Sequence, residues 1–384
     1  MKIINIFIYH LKTKKKLPLK PFPTFFKEGF VFIKLNTDYD IYGYGEPSPY
    51  ITSPQKMVKS IEKIFNQYFR NKDLHEIDLF KLKKKIKKKE EKLILSSFDQ
   101  AILDIKAKKK NISVAKLINK NCNKSNLISF YASGGMIFEN QKYENLIDEA
   151  LKFKNKGYVG YKFRPMMPIS NLTHSQRLKN PPGFDIKKIT DFARLLRKNV
   201  GDNFKLMIDF GCRCKKTKET QYFFDTLYDL NFLFIEEPFK RNIKNYQKKN
   251  FTPKIDIAIG EHFNSYSAFL NWKSKNLINY CQPDSNLLLF DELRLISKKV
   301  NKKKLVIHSW CNQINFCSNL NFAVSLKKPL LIEKNILQNP YHKPFEVYNF
   351  NISKGKLIFK NQPGLGLEFI KNKSTYLYVY EKKI

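Results

Sequence analysis

Short apolar runs alternate with amphipathic stretches through the middle of the chain. Eight such runs follow one another: LISFYASGG, YVGYKFRP, FKLMIDFG, FLFIEEP, IAIGEHF, NYCQPDSN, KLVIHSW and PLLIEKN. Runs of this length, bounded by turn residues, predict strands, and the helical periodicity between them predicts helices. Repeated βα units of this kind close into a barrel. We therefore predict an α/β fold with a modified TIM barrel, (β/α)7β, over residues 126–345.

The two ends of the chain follow a different pattern. Residues 1–125 include alternating runs such as GFVFIKLNTDYDIYGYGE, which indicate antiparallel strands, and then the helical stretch SSFDQAILDIKAKKKNISVAKLI. The tail, residues 346–384, returns to strand and turn residues in EVYNFNISKGKLIFKNQPGLGLEFI. We predict an α+β capping domain over residues 1–125 that the tail completes by packing back onto it.

Composition adds constraints on location and partners. The net charge of +37 is spread over nearly every segment of the 384 residues, which indicates a compositional bias and not a patch that binds nucleic acid. Six cysteines without a CxxC pair or zinc-type spacing predict free thiols in a reducing compartment. The sequence contains no apolar stretch of membrane-spanning length, so we expect a cytoplasmic protein without a membrane partner.

Acidic residues end three consecutive predicted strands. Asp209, Glu236 and Glu261 follow one another at intervals of one βα unit. The carboxyl ends of barrel strands share one pocket, where three carboxylates would repel one another unless a cation lay between them. All-oxygen ligands favour a hard divalent ion, so we predict an Mg²⁺ site. We predict a supporting role for Glu237, although strand alternation leaves the reverse choice open, and His262 is a possible substrate contact.

Other strand ends carry residues suited to proton transfer. Lys162 and Arg164 are two positions apart in YKFRP, so on a strand they face the same pocket. Asp284 and His308 end neighbouring strands, so the carboxylate can hold one imidazole nitrogen and leave the other as an acid or a base. Glu333 ends the last strand. The alternatives are a surface Lys/Arg pair in a lysine-rich chain and a structural histidine in the core.

These residues, in this order, resemble the enolase superfamily and in particular its mandelate racemase-like branch. YGYGEPSPY and SSFDQAILDIKAK resemble the capping domain of that family, and PGLGLEF resembles its closing turn. YKFRP, MIDF, FIEEP, GEHF, QPDSN, IHSW and LIEKN resemble its motifs at the ends of the barrel strands. The resemblance implies that Mg²⁺ binds at Asp209, Glu236 and Glu261, and that the protein forms a homo-oligomer.

The resemblance also implies a first chemical step, removal of the proton α to a carboxylate to give a metal-stabilised enediolate. It assigns proton transfers to Lys162 and the Asp284/His308 pair, and a hydrogen bond to the substrate carboxylate to Glu333. The family often has Lys-x-Lys on the second strand, with the second lysine as a base, whereas this chain has Arg164 there. Guanidinium holds a carboxylate or hydroxyl far better than it accepts a proton.

Arg164 in place of the second lysine disfavours racemisation, unless Lys162 or a deprotonated Arg164 acts as the base. We predict a sugar-acid dehydratase, a hydro-lyase that converts an aldonate or aldarate into a 2-keto-3-deoxy acid. His308 would be the acid for the leaving 3-hydroxyl, or both base and acid in a syn elimination. The alternatives are a racemase or epimerase of a carboxylate substrate, and a basic binding protein without catalysis.

Two polar or proline-containing segments are predicted to lie at the barrel mouth. KLPLKPFPTFF, residues 16–26, resembles the flexible loop through which the family's cap closes over its substrate, although packing under the cap is an equal alternative. NLTHSQRLKNPPGF, residues 171–184, is predicted to form a long loop above the barrel.

Overall fold

The computed structural model describes residues 1–14, 28–122, 127–136, 143–165, 185–247, 251–301, 304–326, 331–337, 339–353, 356–374 and 377–384. Both segments predicted to lie at the barrel mouth, residues 16–26 and 171–184, fall outside these described residues.

The amino-terminal part of the chain forms an antiparallel sheet covered by helices. Its strands β1 (Ile3–Thr13), β2 (Phe30–Thr37) and β3 (Tyr42–Gly45) pair in sequence order. Four helices follow: α1 (Pro54–Tyr68), α2 (Leu79–Lys85), α3 (Lys89–Lys109) and α4 (Val114–Ile118). Apolar residues of β1 and β2 pack on α1 and α3 in one buried cluster.

Strand β3 lies unusually close to α3 because of its glycines. A Cβ atom at Gly45 would lie 1.8 Å from the carbonyl oxygen of Ser97, and one at Gly43 would lie 2.1 Å from that of Ala101. Only glycine permits so close an approach of the two backbones. The sequence GYG therefore fixes how β3 leaves the sheet, and with it the position of Glu46, the next residue.

After a short strand β4 (Leu127–Ile128), the chain alternates strands and helices. The elements are, in order, β5 (Phe130–Met136), α5 (Glu144–Asn155), β6 (Gly160–Arg164), α6 (Ile186–Val200), β7 (Lys205–Asp209), α7 (Lys218–Asp229), β8 (Phe232–Glu236), α8 (Ile243–Tyr246), β9 (Ile257–Ile259), α9 (Tyr266–Lys273), β10 (Tyr280–Cys281), α10 (Phe290–Lys299), β11 (Val306–Ile307), α11 (Gln313–Ser325) and β12 (Leu331–Asn335).

These strands form a parallel sheet in the order β10-β9-β8-β7-β6-β5-β12-β11. A bridge between Cys281 and Leu305 joins its two edges and nearly closes the barrel. Within the described residues, eight strands alternate with seven helices, and each of the eight apolar runs supplies one strand. The predicted (β/α)7β fold is confirmed.

The carboxyl-terminal tail returns to the amino-terminal sheet. Strands β13 (Phe345–Val347) and β16 (Leu367–Phe369) pair with each other. Strand β14 (Phe350–Ser353) pairs with β15 (Lys356–Phe359), which in turn pairs with β4. The last strand, β17 (Leu377–Lys383), pairs antiparallel with β1. Single turns of 3-10 helix lie at Pro340–His342 and Lys371–Ser374. The tail thus completes the cap, as the fold prediction requires.

Two further observations concern composition. All six cysteines carry free thiols. Among the described residues, no helix combines the length and the apolar character needed to cross a membrane.

Buried polar contacts fix the cap on the barrel. Asp99 of α3 accepts a hydrogen bond of 2.6 Å from the backbone N–H of Phe290, the first residue of α10. Gln100 donates to the carbonyl oxygen of Ser285 at 3.0 Å and accepts from the backbone N–H of Glu46 at 2.9 Å. These bonds tie α3 and the residue after β3 to the loop that follows β10.

The buried carboxyl group of Asp99 makes stability depend on pH. Burial raises its pKa from 3.8 to about 7, although the bond from Phe290 opposes the shift. The folded protein therefore holds a proton that the unfolded chain releases near pH 4, so the free energy of unfolding falls as the pH rises through this window. We expect Asp99→Asn to remove that decrease, at most about 3 kcal/mol between about pH 5 and pH 7, as measured by urea unfolding at these two pH values.

The control is Asp78→Asn, which alters an exposed carboxylate that caps α2 by accepting from Lys81 N at 2.9 Å. This variant should keep the wild-type dependence between about pH 5 and 7, because the pKa of Asp78 is lowered by that bond and the group is ionised throughout. A wild-type slope in Asp99→Asn would contradict the assignment.

Candidate functional site

A ring of polar side chains lies above an apolar layer inside the barrel. The layer consists of Tyr131, Met207, Phe234, Ala258, Tyr280, Val306 and Leu331. Two positions after six of these residues, on the strands or directly beyond their ends, come Ser133, Asp209, Glu236, Gln282, His308 and Glu333. Since side chains two apart on a strand share a face, strand alternation alone builds an apolar floor and a polar ring at the carboxyl end.

Lys162 is a buried cation within this ring. Its Nζ lies 2.5 Å from Glu236 Oε2 and 2.8 Å from Glu333 Oε1. Burial lowers the pKa of Lys162, but the two carboxylates outweigh it and raise the pKa well above its ordinary value. In this arrangement the amine is protonated.

Arg164 faces the same pocket, two residues further along β6. Its guanidinium stacks on the ring of Trp310, 4.6 Å from the centroid, and its NH2 lies 2.5 Å from Asp209 Oδ2. Burial alone would lower the pKa of Arg164, but Asp209 and Glu261 outweigh it and raise the pKa further. The structure thus directs both predicted basic residues into the pocket, and Arg164 stays charged.

Asp284 and His308 form the predicted pair. His308 Nδ1 lies 2.6 Å from Asp284 Oδ2, and its Nε2 faces Glu261 Oε2 at 3.1 Å and Glu333 Oε2 at 3.6 Å. Burial lowers the pKa of His308, but Glu333 and Glu261 outweigh it and raise the pKa well above its ordinary value. Asp284 therefore fixes the orientation of a protonated imidazole whose second N–H points toward the carboxylates of Glu261 and Glu333.

The three predicted metal ligands lie at adjacent strand ends, and each contacts a cationic or imidazole group. Asp209 and Glu236 are paired across β7 and β8 and contact Arg164 and Lys162, respectively. Glu261 follows β9, and its assignment as a ligand, like that of the other two, stays a prediction.

Glu261 and Glu237 take part in a second cluster at the rim. Glu261 Oε1 lies 2.6 Å from His262 Nε2 and 3.0 Å from Arg241 NH2. Glu237 has a positive φ of 38°, and its Oε2 accepts from Arg241 Nε at 2.5 Å and from the Cys212 thiol at 3.2 Å. Among the described residues, Glu237, Glu261 and His262 form a group of three whose possible ligand atoms all lie within 4.8 Å of one another.

The surroundings of Glu236 suit a divalent cation. Its Oε2 accepts from Lys162 and, at 2.6 Å, from Gln282 Nε2. Its Oε1 is buried and has no hydrogen-bond partner among the described residues. Burial raises the pKa of Glu236 to about 8 and Asp209 adds to the effect, although Lys162 opposes it. A buried carboxylate with an unused oxygen and excess negative surroundings fits a hard cation with oxygen ligands, such as Mg²⁺.

Sequence reasoning missed several residues of this site. Gln282 and Trp310 each stand two positions from a predicted residue, in QPDSN and IHSW, so strand alternation could have found them. Arg241 lies beyond Pro238 in an irregular turn, and no periodicity marks it. Asn315 and Asn319 hold Asp284 from α11, and their spacing of four residues is the signal that places them on one helix face.

Comparison with known protein families identifies the chain. Residues 3–119 match the family described as "Mandelate racemase / muconate lactonizing enzyme, N-terminal domain", and residues 145–373 match "Enolase C-terminal domain-like". The chain therefore belongs to the enolase superfamily, in its branch resembling mandelate racemase and muconate lactonizing enzyme. Members of this superfamily are enzymes and bind Mg²⁺.

Solved structures with the same fold span nearly the whole chain. A putative dehydratase from Zymomonas mobilis ZM4 superposes with a TM-score of 0.81 at 21% identity, covering 100% of both chains. The 3,6-anhydro-D-galactonate cycloisomerase from Zobellia galactanivorans has a TM-score of 0.78 at 21% identity, covering 98% of this chain and 100% of its own.

L-Talarate dehydratase from Polaromonas sp. JS666, complexed with Mg and L-glucarate, has a TM-score of 0.77 at 18% identity, covering 100% of this chain and 99% of its own. No curated protein matches the chain significantly. At these identities the solved structures show the fold, while the reaction depends on the site itself.

Proposed function

We propose that this protein is an Mg²⁺-dependent sugar-acid dehydratase that converts an aldonate or aldarate into a 2-keto-3-deoxy acid. The observation that carries the proposal is His308, a buried imidazole held by Asp284 at Nδ1 with Nε2 facing Glu261, one of the proposed metal ligands. Elimination of a hydroxyl needs an acid at the departing oxygen, and a protonated imidazole of raised pKa supplies one.

The bonds of this reaction balance without a further reactant. The C–H bond α to the carboxylate breaks, the C–O bond at the 3-position breaks, and the removed proton and hydroxyl leave as water. The resulting enol tautomerises to the keto acid. Mg²⁺, held by Asp209, Glu236 and Glu261, would stabilise the negative charge that develops on the substrate carboxylate.

Two residues are candidates for the base that removes the α-proton. Lys162 is protonated while Glu236 and Glu333 hold it, but burial alone lowers its pKa, so losing those partners would favour the neutral amine. His308 is the other candidate once it has lost its proton, since a neutral imidazole can take the α-proton and return it to the leaving hydroxyl on the same side of the substrate. The His308 variant argued in the Discussion separates these routes.

Arg164 supports elimination over racemisation. Its guanidinium is fixed by Asp209 and Trp310 and its pKa is raised, so it does not serve as a second base. A fixed guanidinium suits a carboxylate or hydroxyl of the substrate. The L-talarate dehydratase complexed with Mg and L-glucarate supports a sugar acid as the substrate, because its chain has the same fold.

The test is to incubate the purified protein with Mg²⁺ and a panel of aldonic and aldaric acids, and to assay 2-keto-3-deoxy products. We expect one or a few acids to give keto acid, and chelation of Mg²⁺ to stop the reaction. A parallel assay in D2O measures exchange at the α-carbon. If an acid of the panel exchanges its α-proton while no acid gives a keto acid, the dehydratase proposal gives way to a racemase, epimerase or other isomerase.

Three predictions from the sequence remain proposals. These are the cytoplasmic location, which free thiols at all six cysteines support, the homo-oligomeric state, and the domain limits at residues 1–125, 126–345 and 346–384. A small carboxylate is the proposed partner, and no nucleic acid or membrane is proposed.

A further inference from the structure

Glu46 reaches from the cap to the amino end of a barrel helix. The residue follows β3 directly and is fully buried. Its Oε1 accepts from the backbone N–H of Asn312 at 2.9 Å, and its Oε2 accepts from that of Asn315 at 3.2 Å. Asn312 is the N-cap of α11, and its own side chain bonds to Gln313 N. A carboxyl group from the cap therefore accepts bonds from the N–H groups at the start of α11. Burial raises the pKa of Glu46 to about 8, although these two N–H bonds oppose the shift.

The same two turns of α11 hold the Asp284 carboxylate. Asn315 Nδ2 donates to Asp284 Oδ1 at 2.7 Å, and Asn319 Nδ2 donates to the same oxygen at 3.1 Å. Asn319 Nδ2 also donates to the backbone carbonyl of His308 at 2.9 Å. Residues four apart share one helix face, so a single face of α11 touches both members of the pair.

Asn315 joins these two sets of contacts. Its backbone N–H binds Glu46, while its side chain binds Asp284. On the cap side, Gln100 accepts from Glu46 N and donates to the carbonyl of Ser285, the residue after Asp284. A continuous set of buried hydrogen bonds therefore runs from the cap to His308, and no link in it is solvent-exposed.

We propose that Glu46 is a positioning residue for the His308 pair. By fixing the first turn of α11, it sets the orientation of Asp284 and, through Asp284, the direction of the His308 imidazole. The kinetic part of this inference rests on the proposed function, whereas the geometric part concerns a hydrogen bond that exists without turnover. The orientation of His308, a residue of the barrel, would thereby depend on how the cap packs against the barrel.

Glu46→Gln is the sharpest variant because both oxygens of Glu46 accept an N–H bond. The amide must turn its NH2 toward one backbone N–H, so one bond is lost while size is kept. Asp99→Asn is the matched control, since Asp99 is also a buried cap carboxylate bonded to the start of a barrel helix, α10, but has no described contact with Asp284, His308 or α11.

The readout is the far-downfield proton NMR signal expected from the short bond between His308 Nδ1 and Asp284, recorded with Mg²⁺ in excess and assigned by its loss in His308→Asn. We expect Glu46→Gln to shift or broaden this signal and Asp99→Asn to leave it in place. With a substrate identified, kcat of Glu46→Gln should fall about 10- to 100-fold with little change in KM.

An unchanged signal in a folded Glu46→Gln protein would overturn the inference, as would equal losses of kcat in both variants. Should Glu46→Gln not fold, Glu46→Asp keeps the carboxyl group on a shorter side chain and should shift the signal, because the shorter side chain cannot make both N–H bonds with the same geometry. Because the NMR measurement needs no substrate, a failure of the dehydratase proposal leaves this test intact.

Discussion

Replacement of His308 by asparagine is expected to lower kcat for keto-acid formation by about 10³-fold, within the range of general acid–base catalysis. Asparagine keeps a polar group near Asp284, so the buried carboxylate is not left without a partner. The asparagine side chain, however, has no titratable proton to give to the departing hydroxyl. The measurement is kcat for the best acid of the panel, with folding checked by thermal unfolding.

The exchange of the substrate α-proton in D2O separates the two roles of His308. If Lys162 is the base, His308→Asn loses keto-acid formation but still exchanges the α-proton. If His308 acts as both base and acid, exchange is lost to the same extent. His75→Asn is the control, because His75 lies exposed in the cap. Wild-type kcat in the His308 variant would remove this residue from the mechanism.

The fold was predictable because each strand carries its own signal. All eight apolar runs form barrel strands, and Asp209, Glu236 and Glu333 face inward because strand alternation fixes the face. The spacing of Asp209, Glu236 and Glu261 by one βα unit depends on the same regularity. Where local periodicity decides the structure, the sequence is sufficient.

The arrangement of charges at the site was less predictable because it depends on contacts between distant segments. Glu237 leaves β8 with a positive φ and binds Arg241, four residues along an irregular turn. Nothing in the local pattern selects that partner. The link from Glu46 to α11 joins positions 266 and 269 residues apart, so it follows from the docking of the cap and not from any motif.

The site also shows why its cations matter as much as its acids. Lys162, Arg164 and Arg241 each contact two carboxylates or one carboxylate and an aromatic ring. Without them the buried acids would repel one another and shed their charge by taking up protons. We infer that a divalent ion would share this task with the cations already present.

Asp209→Asn is expected to weaken Mg²⁺ binding by at least about 100-fold and to lower kcat by about 10³-fold or more, because metal stabilisation of the developing charge supplies several kcal/mol. The substitution removes one negative ligand and leaves the Arg164 guanidinium without its carboxylate partner. Isothermal titration with Mg²⁺ and the keto-acid assay measure the two effects separately.

Asp256→Asn is the matched control for this variant. Asp256 immediately precedes β9, at the amino end of the barrel, and pairs with Lys304. Residues at that end of a barrel contribute to stability and not to catalysis. The control should therefore keep wild-type Mg²⁺ affinity and kcat, with a loss of stability of at most about 1 kcal/mol for a partly exposed ion pair.

The same titration decides between two metal sites. The predicted ligands are Asp209, Glu236 and Glu261, whereas Glu237, Glu261 and His262 form a group of three described residues whose possible ligand atoms all lie within 4.8 Å of one another. If Mg²⁺ binds at the predicted site, Asp209→Asn loses affinity and Glu237→Gln largely retains it. The opposite result would assign the metal to the rim cluster, where an imidazole ligand would favour a softer ion than Mg²⁺, and would leave Asp209 as the partner of Arg164.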